Sequence, residues 1–273
     1  MPVAERDGHR IHYQTWGKTS APPLLLIMGL GLSSAGWHRL PERLSKRNRV
    51  ITFDNRGAGL SDRPRGLYRM HDLADDAAAV LRAVGVGARR KGKRSTGGAH
   101  VFGISMGGMI AQELTLRHPG LVRSLVLGAT FASWWNSRKP PLAVAFTLVG
   151  VNIVGPRALP HLAPLLISPE FDRENPDEFR RWLTALKAGE PPTVFRQIGA
   201  ILRHSTLPRL GEIAAPTLVV TGSADRLVPP ENSRVLHAAI PGAKFRELRG
   251  AGHVFPFERE DETVKLLQSF FQR

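Results

Sequence analysis

The chain has 273 residues, 42% of them apolar and 22% charged, the balance of a soluble globular protein rather than a disordered one. It carries 38 Lys and Arg against 23 Asp and Glu, a formal charge of +15. The excess is mostly arginine spread along the chain, with one dense run, "RRKGKR" from Arg89 to Arg94, and no nucleic-acid signature accompanies it, so a nucleic-acid partner is not expected. There is no cysteine, which excludes disulfides, thiolate metal sites and cysteine nucleophiles.

The opening "MPVAERDGHR" is charged where a signal peptide would need an apolar core, and a cytoplasmic location is expected from that. "MPVAER", an Asp7-Gly8 turn and "HRIHYQTWG" predict a β-hairpin. Short apolar runs of the buried-strand type follow: "PLLLIMG" at Pro23 to Gly29, "RVITFD" at Arg49 to Asp54, "HVFGIS" at His100 to Ser105 and "VRSLVLGAT" at Val122 to Thr130. Between them "WHRLPERLSKR", "MHDLADDAAAVLRAVGV" and "MGGMIAQELTLRHP" have helical spacing with Gly or Pro stops. Strands and helices alternating in this way predict an α/β fold with a mostly parallel sheet covered on both faces.

From about Trp134 to Ala214 the alternation stops, and Pro-rich apolar pieces join helical segments such as "NPDEFRRWLTALKAG". It resumes with "PTLVVTGSAD", the helix "ENSRVLHAAIP", the strand "AKFRELRG" and the helix "REDETVKLLQSFFQR". We therefore expect a core formed by residues 1–133 and 215–273, with residues 134–214 inserted as a helical cap. The stretch "PPLAVAFTLVGVNIVGP" is interrupted by Asn152 and bounded by prolines, too short for a membrane span. The run from Arg89 onward is expected to be a solvated loop.

In Gly103-Ile104-Ser105-Met106-Gly107 a serine stands where a strand turns into a helix. Such a turn strains the serine backbone, needs small residues two positions away on either side, and aims the first helical amides at a developing oxyanion. A serine hydroxyl needs a base, and the base a third group to hold its tautomer. Among ten histidines His253 stands out, in the Gly-rich loop "RGAGHVFPFE" just past a strand, whereas His12, His71, His118, His161 and His237 sit in helix or strand patterns that suit surface or capping roles. Asp225, in the loop "TGSADRLVPP", completes the order Ser, Asp, His; Glu231 and Asp261 each open a helix, where the helix dipole already accounts for a carboxylate.

With these parts in place the chain resembles the α/β-hydrolase superfamily, specifically its capped serine carboxylesterase-like bacterial members. "FDNRGAGLSDRP" is similar to the family's Asp-x-Arg-Gly-x-Gly-x-Ser loop, "GISMGGMIAQELTLRHP" to its nucleophile helix, and "PTLVVTGSADRLVPP" and "GAGHVFPFE" to its acid and base loops. The resemblance implies Ser105 as nucleophile, Asp225 and His253 as its relay, and the backbone amides of Leu30 and Met106 as the oxyanion hole. Where the family commonly ends its third strand in His-Gly, this chain has Met28-Gly29. Asp54 and Arg56 are expected to build their loop rather than touch substrate.

The implied reaction is acyl transfer to water with no metal or organic cofactor, on short- to medium-chain, fairly apolar carboxylic esters. Trp134, Trp135, "PPLAVAFTLVG" and "LAPLLI" supply apolar surface suited to such a small-molecule partner. The same triad could serve a lactonase, a carbon-carbon bond hydrolase, a cofactor-free perhydrolase or a receptor with negligible turnover. A serine in place of aspartate at the turn speaks against dehalogenase and epoxide-hydrolase chemistry.

Overall fold

A computed structural model describes residues 2–87, 97–139, 163–185 and 191–272; the basic run Arg89 to Arg94 and the apolar stretch 140–156 lie outside them. The hairpin forms as the sequence predicts, β1 (Val3–Arg6) and β2 (His9–Trp16). Asp7 and Gly8 both take positive φ, 49° and 73°, as a two-residue turn matched to the strand twist requires. The other strands are β3 (Pro23–Ile27), β4 (Arg49–Phe53), β5 (Ala99–Ile104), β6 (Val122–Gly128), β7 (Thr217–Gly222) and β8 (Lys244–Leu248).

They form one eight-stranded sheet in the order β1-β2-β4-β3-β5-β6-β7-β8, parallel from β4 onward. Successive residues feed opposite layers: Leu25 and Ile27 of β3 join one apolar core, Leu24 and Leu26 the other, because side chains alternate across a strand. Helices α2 (Met70–Ala83) and α3 (Met106–Arg117) pack together on the first face, and α1 (Leu40–Leu44) meets the C-terminal helix on the second. Chain leaving β3 thus turns to one face and chain leaving β5 to the other, although the two strands are neighbours. That divergence opens a crevice at their C-terminal ends, where parallel α/β sheets bind ligands.

Between β6 and β7 the described residues form α4 (Ala163–Leu166), α5 (Pro169–Glu174), α6 (Pro176–Ala185) and α7 (Pro191–Leu202). The chain then closes with α8 (Glu231–Ala239), α9 (Phe255–Glu258) and α10 (Glu260–Phe271). Among the described residues no helix is long and apolar enough to cross a membrane.

Three local expectations are corrected. "WHRLPERLSKR" is not one helix: a single 3-10 turn, Ser34–Trp37, ends at His38 with φ 51°, and α1 starts afresh at Leu40. His12 is buried rather than on the surface, its Nδ1 3.5 Å from Asp54 Oδ2, because β2 directs it beneath the loop that follows β4. Trp135 is 78% exposed, so it supplies no buried lining; its neighbour Trp134 packs on Phe131 and lies under the Lys139 ammonium, 4.3 Å from the ring centre.

Candidate active site

Ser105 is the residue between β5 and α3, with φ 57° and ψ −125°, a conformation that costs a non-glycine residue about 1–3 kcal/mol and persists only when its surroundings enforce it. Here they do. The Ser105 N–H donates to the Gly128 carbonyl (2.9 Å), and the Ser105 carbonyl accepts from Thr130 Oγ1 (2.7 Å) and the Gly108 N–H (2.9 Å). The flanking glycines are required by space: a Cβ on Gly103 would run into the Gly107 carbonyl, and one on Gly107 into the Ile27 carbonyl. Turn and helix are therefore pressed directly onto the ends of β3 and β5.

The loop after β3 meets the serine from the other side. Gly29 lies so close that a Cβ there would be 3.2 Å from Ser105 Cβ and 3.7 Å from its Oγ. Met106, fully buried, is the first residue of α3, and its N–H has no intrahelical acceptor. Leu30 is half-buried between Gly29 and Gly31. Among the described residues no histidine is bonded to this loop. Instead Asn55 Nδ2 donates to the Met28 carbonyl (2.9 Å), and the Gly31 N–H donates to Oε1 of Gln197 on α7 (2.7 Å).

Asp225 and His253 follow β7 and β8 and are both buried. The two loops are joined by the Ala224 N–H to Ala251 carbonyl bond, 2.9 Å, and Gly222 lies against the Ala251 and Gly252 carbonyls. Nδ1 of His253 donates to Asp225 Oδ2 at 2.9 Å, while Asp225 Oδ1 accepts from the Leu227 and Val228 amides at 2.9 and 2.8 Å. Each carboxylate oxygen is thus satisfied, and Nε2 of the imidazole is left as the proton acceptor.

The base loop returns over the sheet through Phe255, whose ring packs against Gly128 and Phe102. Gly128 is also the residue whose carbonyl holds the Ser105 amide, so the two loops share one anchor. Among the described residues no hydrogen bond joins the Ser105 hydroxyl to the imidazole directly.

Glu258, which the sequence reading overlooked, ties the base loop to the helices between β6 and β7. Its Oε1 accepts from the Gly252 N–H (2.8 Å) and its Oε2 from the Ser168 N–H (3.1 Å), and the Val254 N–H donates to the Leu166 carbonyl (2.9 Å). Burial pushes the Glu258 carboxyl above its usual range, opposed by the hydrogen bonds from Ser168 and Gly252. Around this seam Leu166, Ile167, Phe171, Phe179, Trp182, Val254 and Phe257 form a third apolar cluster, with Leu32 and Leu227 half-buried against it.

The loop after β4 is structural in its contacts. Asp54 accepts from the Ser34 and Leu60 amides (2.7 and 2.8 Å), and Arg56 forks onto the fully buried Asp76 through Nε and Nη2 at 2.5 and 2.6 Å. No described group of three His, Asp or Glu side chains is placed to hold a metal ion.

Residues 24–266 match the model of the alpha/beta hydrolase family. The chain belongs to that family. Hydrolysis is the chemistry that membership supports. It is 30% identical over 275 residues to RutD of Azorhizobium caulinodans, provisionally named a carbamate hydrolase, covering 99% of this chain and 98% of that one. Among solved structures it is similar to the enol-lactonase from Burkholderia xenovorans LB400 (TM-score 0.86, 26% identity, all of both chains). It is also similar to Est816, described as an N-acyl homoserine lactone degrading enzyme (TM-score 0.83, 28% identity, 98% of this chain and all of that one).

Proposed function

We propose that this hydrolase cleaves uncharged, fairly apolar carboxylic esters of short to medium chain through an acyl-enzyme on Ser105. The observation that carries the reading is the buried His253–Asp225 pair at 2.9 Å, on the same sheet edge as a serine held at φ 57°. Ser105 Oγ attacks the ester carbonyl carbon as its proton passes to His253 Nε2, and Asp225 keeps the Nδ1 proton in place and stabilises the imidazolium. The N–H groups of Leu30 and Met106 stabilise the oxyanion. Collapse of the tetrahedral intermediate breaks the carbon–oxygen bond to the alcohol, which leaves with the proton from His253. Water, deprotonated by the same imidazole, then releases the acid and regenerates Ser105.

The helices between β6 and β7, within residues 134–214, we read as a cap over this site. The apolar character of Leu32, Leu227, Val254 and Phe257 beside the acid and base loops favours an uncharged acyl or ring substituent over an ionic one. Lactones are the second reading. They are cyclic esters open to the same attack, and two similar structures are named for lactone-directed activity.

The test is turnover of p-nitrophenyl esters of increasing acyl length, alongside γ-lactones and N-acyl homoserine lactones, by the protein and by Ser105→Ala. Ester cleavage that vanishes in the variant and peaks at short or medium acyl length supports the reading. Cleavage confined to lactones would transfer it to the second substrate class, and a variant as active as the parent would overturn it.

A further inference from the structure

We propose that Gln197 is a positioning residue for the oxyanion hole, so that α7 of the cap sets the geometry of the Leu30 amide. The inference rests on the hydrolytic reading of Ser105 given above. Gln197 is fully buried and both ends of its amide are used. Oε1 accepts from the Gly31 N–H at 2.7 Å, and Nε2 donates to the Arg56 carbonyl at 3.1 Å.

The second contact makes the first one rigid. Arg56 is immobilised by its fork onto Asp76 and by the Tyr68 ring, 5.5 Å from its guanidinium carbon. A side chain anchored on that frame can hold the loop after β3 where a flexible one could not. Neighbouring contacts seat the helix in the same place: a Cβ on Gly31 would be 3.3 Å from Val194, and one on Gly57 would collide with Thr193.

The segment that Gln197 grips is short and pinned at both ends. The Met28 carbonyl is held by Asn55 and the Gly31 amide by Gln197, so the peptide units on either side of Gly29 and Leu30 have little rotation left. Gly29 is already in contact range of Ser105. A shift of this loop moves the proposed donor relative to the nucleophile, and misplacement by about 1 Å can cost about 100-fold in rate. Loss of the Gln197 contact therefore weakens stabilisation of the transition state more than binding of the ground state.

Kinetics of p-nitrophenyl butyrate hydrolysis by wild type, Gln197→Met, Gln197→Glu and Ser105→Ala test this, with circular dichroism to establish folding. Met matches Gln in length and keeps the packing but neither hydrogen bond; Glu keeps an acceptor for the Gly31 N–H and loses the donor to Arg56. We expect kcat of Gln197→Met to fall about 10- to 100-fold, with KM within about threefold and Gln197→Glu in between. If Gln197→Met does not fold, the intermediate kcat of Gln197→Glu at unchanged KM carries the result. Wild-type kcat in the folded Met variant, or a loss confined to KM, would overturn the proposal while leaving hydrolysis at Ser105 standing. A Ser105→Ala protein as fast as wild type would overturn both.

Discussion

The two glycine-bearing turns that meet at the site, Gly103 to Gly108 and Met28 to Gly31, are fixed by different means. The first is held from within by backbone: Gly103 against Gly107, Gly107 against Ile27, and the Ser105 peptide bonded to Gly128 and Gly108. The second is held from outside by side chains, Asn55 on the loop after β4 and Gln197 on a helix more than 160 residues away. A turn built from its own backbone is specified locally and tolerates little; a turn held by distant side chains can be adjusted without unfolding the sheet. In our reading the nucleophile is thereby invariant in position while the cap controls the oxyanion.

The largest effect that would break this comparison is at Ser105, the proposed nucleophile. Ser105→Ala should lower kcat for p-nitrophenyl butyrate by about 10⁴-fold or more with the fold intact, because no other described residue can replace an attacking oxygen at that turn. Asp225→Asn should cost roughly 10³- to 10⁴-fold. Asn can still accept from Leu227 and Val228, which directs its NH₂ at His253 Nδ1 and forces the tautomer whose Nε2 already carries a proton. Near-normal kcat in this variant would remove Asp225 from the relay.

Next come two substitutions that set the turns against each other. Leu30→Pro deletes the proposed oxyanion donor and should reduce kcat by about 10²- to 10³-fold with a smaller change in KM; a change in KM alone would dissociate Leu30 from the oxyanion. Gly107→Ala drives a methyl group into the Ile27 carbonyl and should appear as lost stability, about 3 kcal/mol by urea denaturation. If Ala were accepted there at no cost, the elbow would not be held by its backbone as described.

The smallest effect concerns the seam between the helices that follow β6 and the sheet, and shows only in acid. His204, just past α7, packs against Phe131, and burial pushes it down to about 3, with Arg209 adding to the shift. A histidine with a depressed folded pKa contributes stability that is complete above about 6.5 and is lost as pH falls toward 3. His204→Gln should therefore leave kcat at neutral pH unchanged and flatten the fall in unfolding free energy between pH 6 and 4, by at most about 1.4 kcal/mol per pH unit. Parallel pH profiles for wild type and variant would exclude the effect.

Legibility in the sequence followed the range of the forces. The hairpin, the buried strands, α2, α3 and α6 were readable because apolar period and turn residues act over a few positions. The placement of Ser105 at a strand-to-helix turn, and of Asp225 and His253 in loops after strands, was readable from the local turn chemistry, and the last two meet. Gln197 and Asn55 were not, because each acts through one long-range contact that leaves no local pattern. A trace was present: Gln197 is a polar residue in the buried stripe of α7 that includes Thr193, Val194 and Ala200, and a buried amide needs partners. Glu258 was hidden for a similar reason. It stands at the end of the quoted stretch "GAGHVFPFE", and its bridge between the Gly252 and Ser168 amides leaves no local pattern.

The proposed acyl transfer requires a covalent intermediate at Ser105, and the most direct test is to trap it. Turnover of p-nitrophenyl butyrate is quenched in acid within the first cycle and the protein is digested and mapped by mass spectrometry. A butyryl group is expected on the peptide containing Ser105, absent from Ser105→Ala along with turnover; turnover with no acyl group on that peptide, persisting in the variant, would contradict acyl transfer at Ser105.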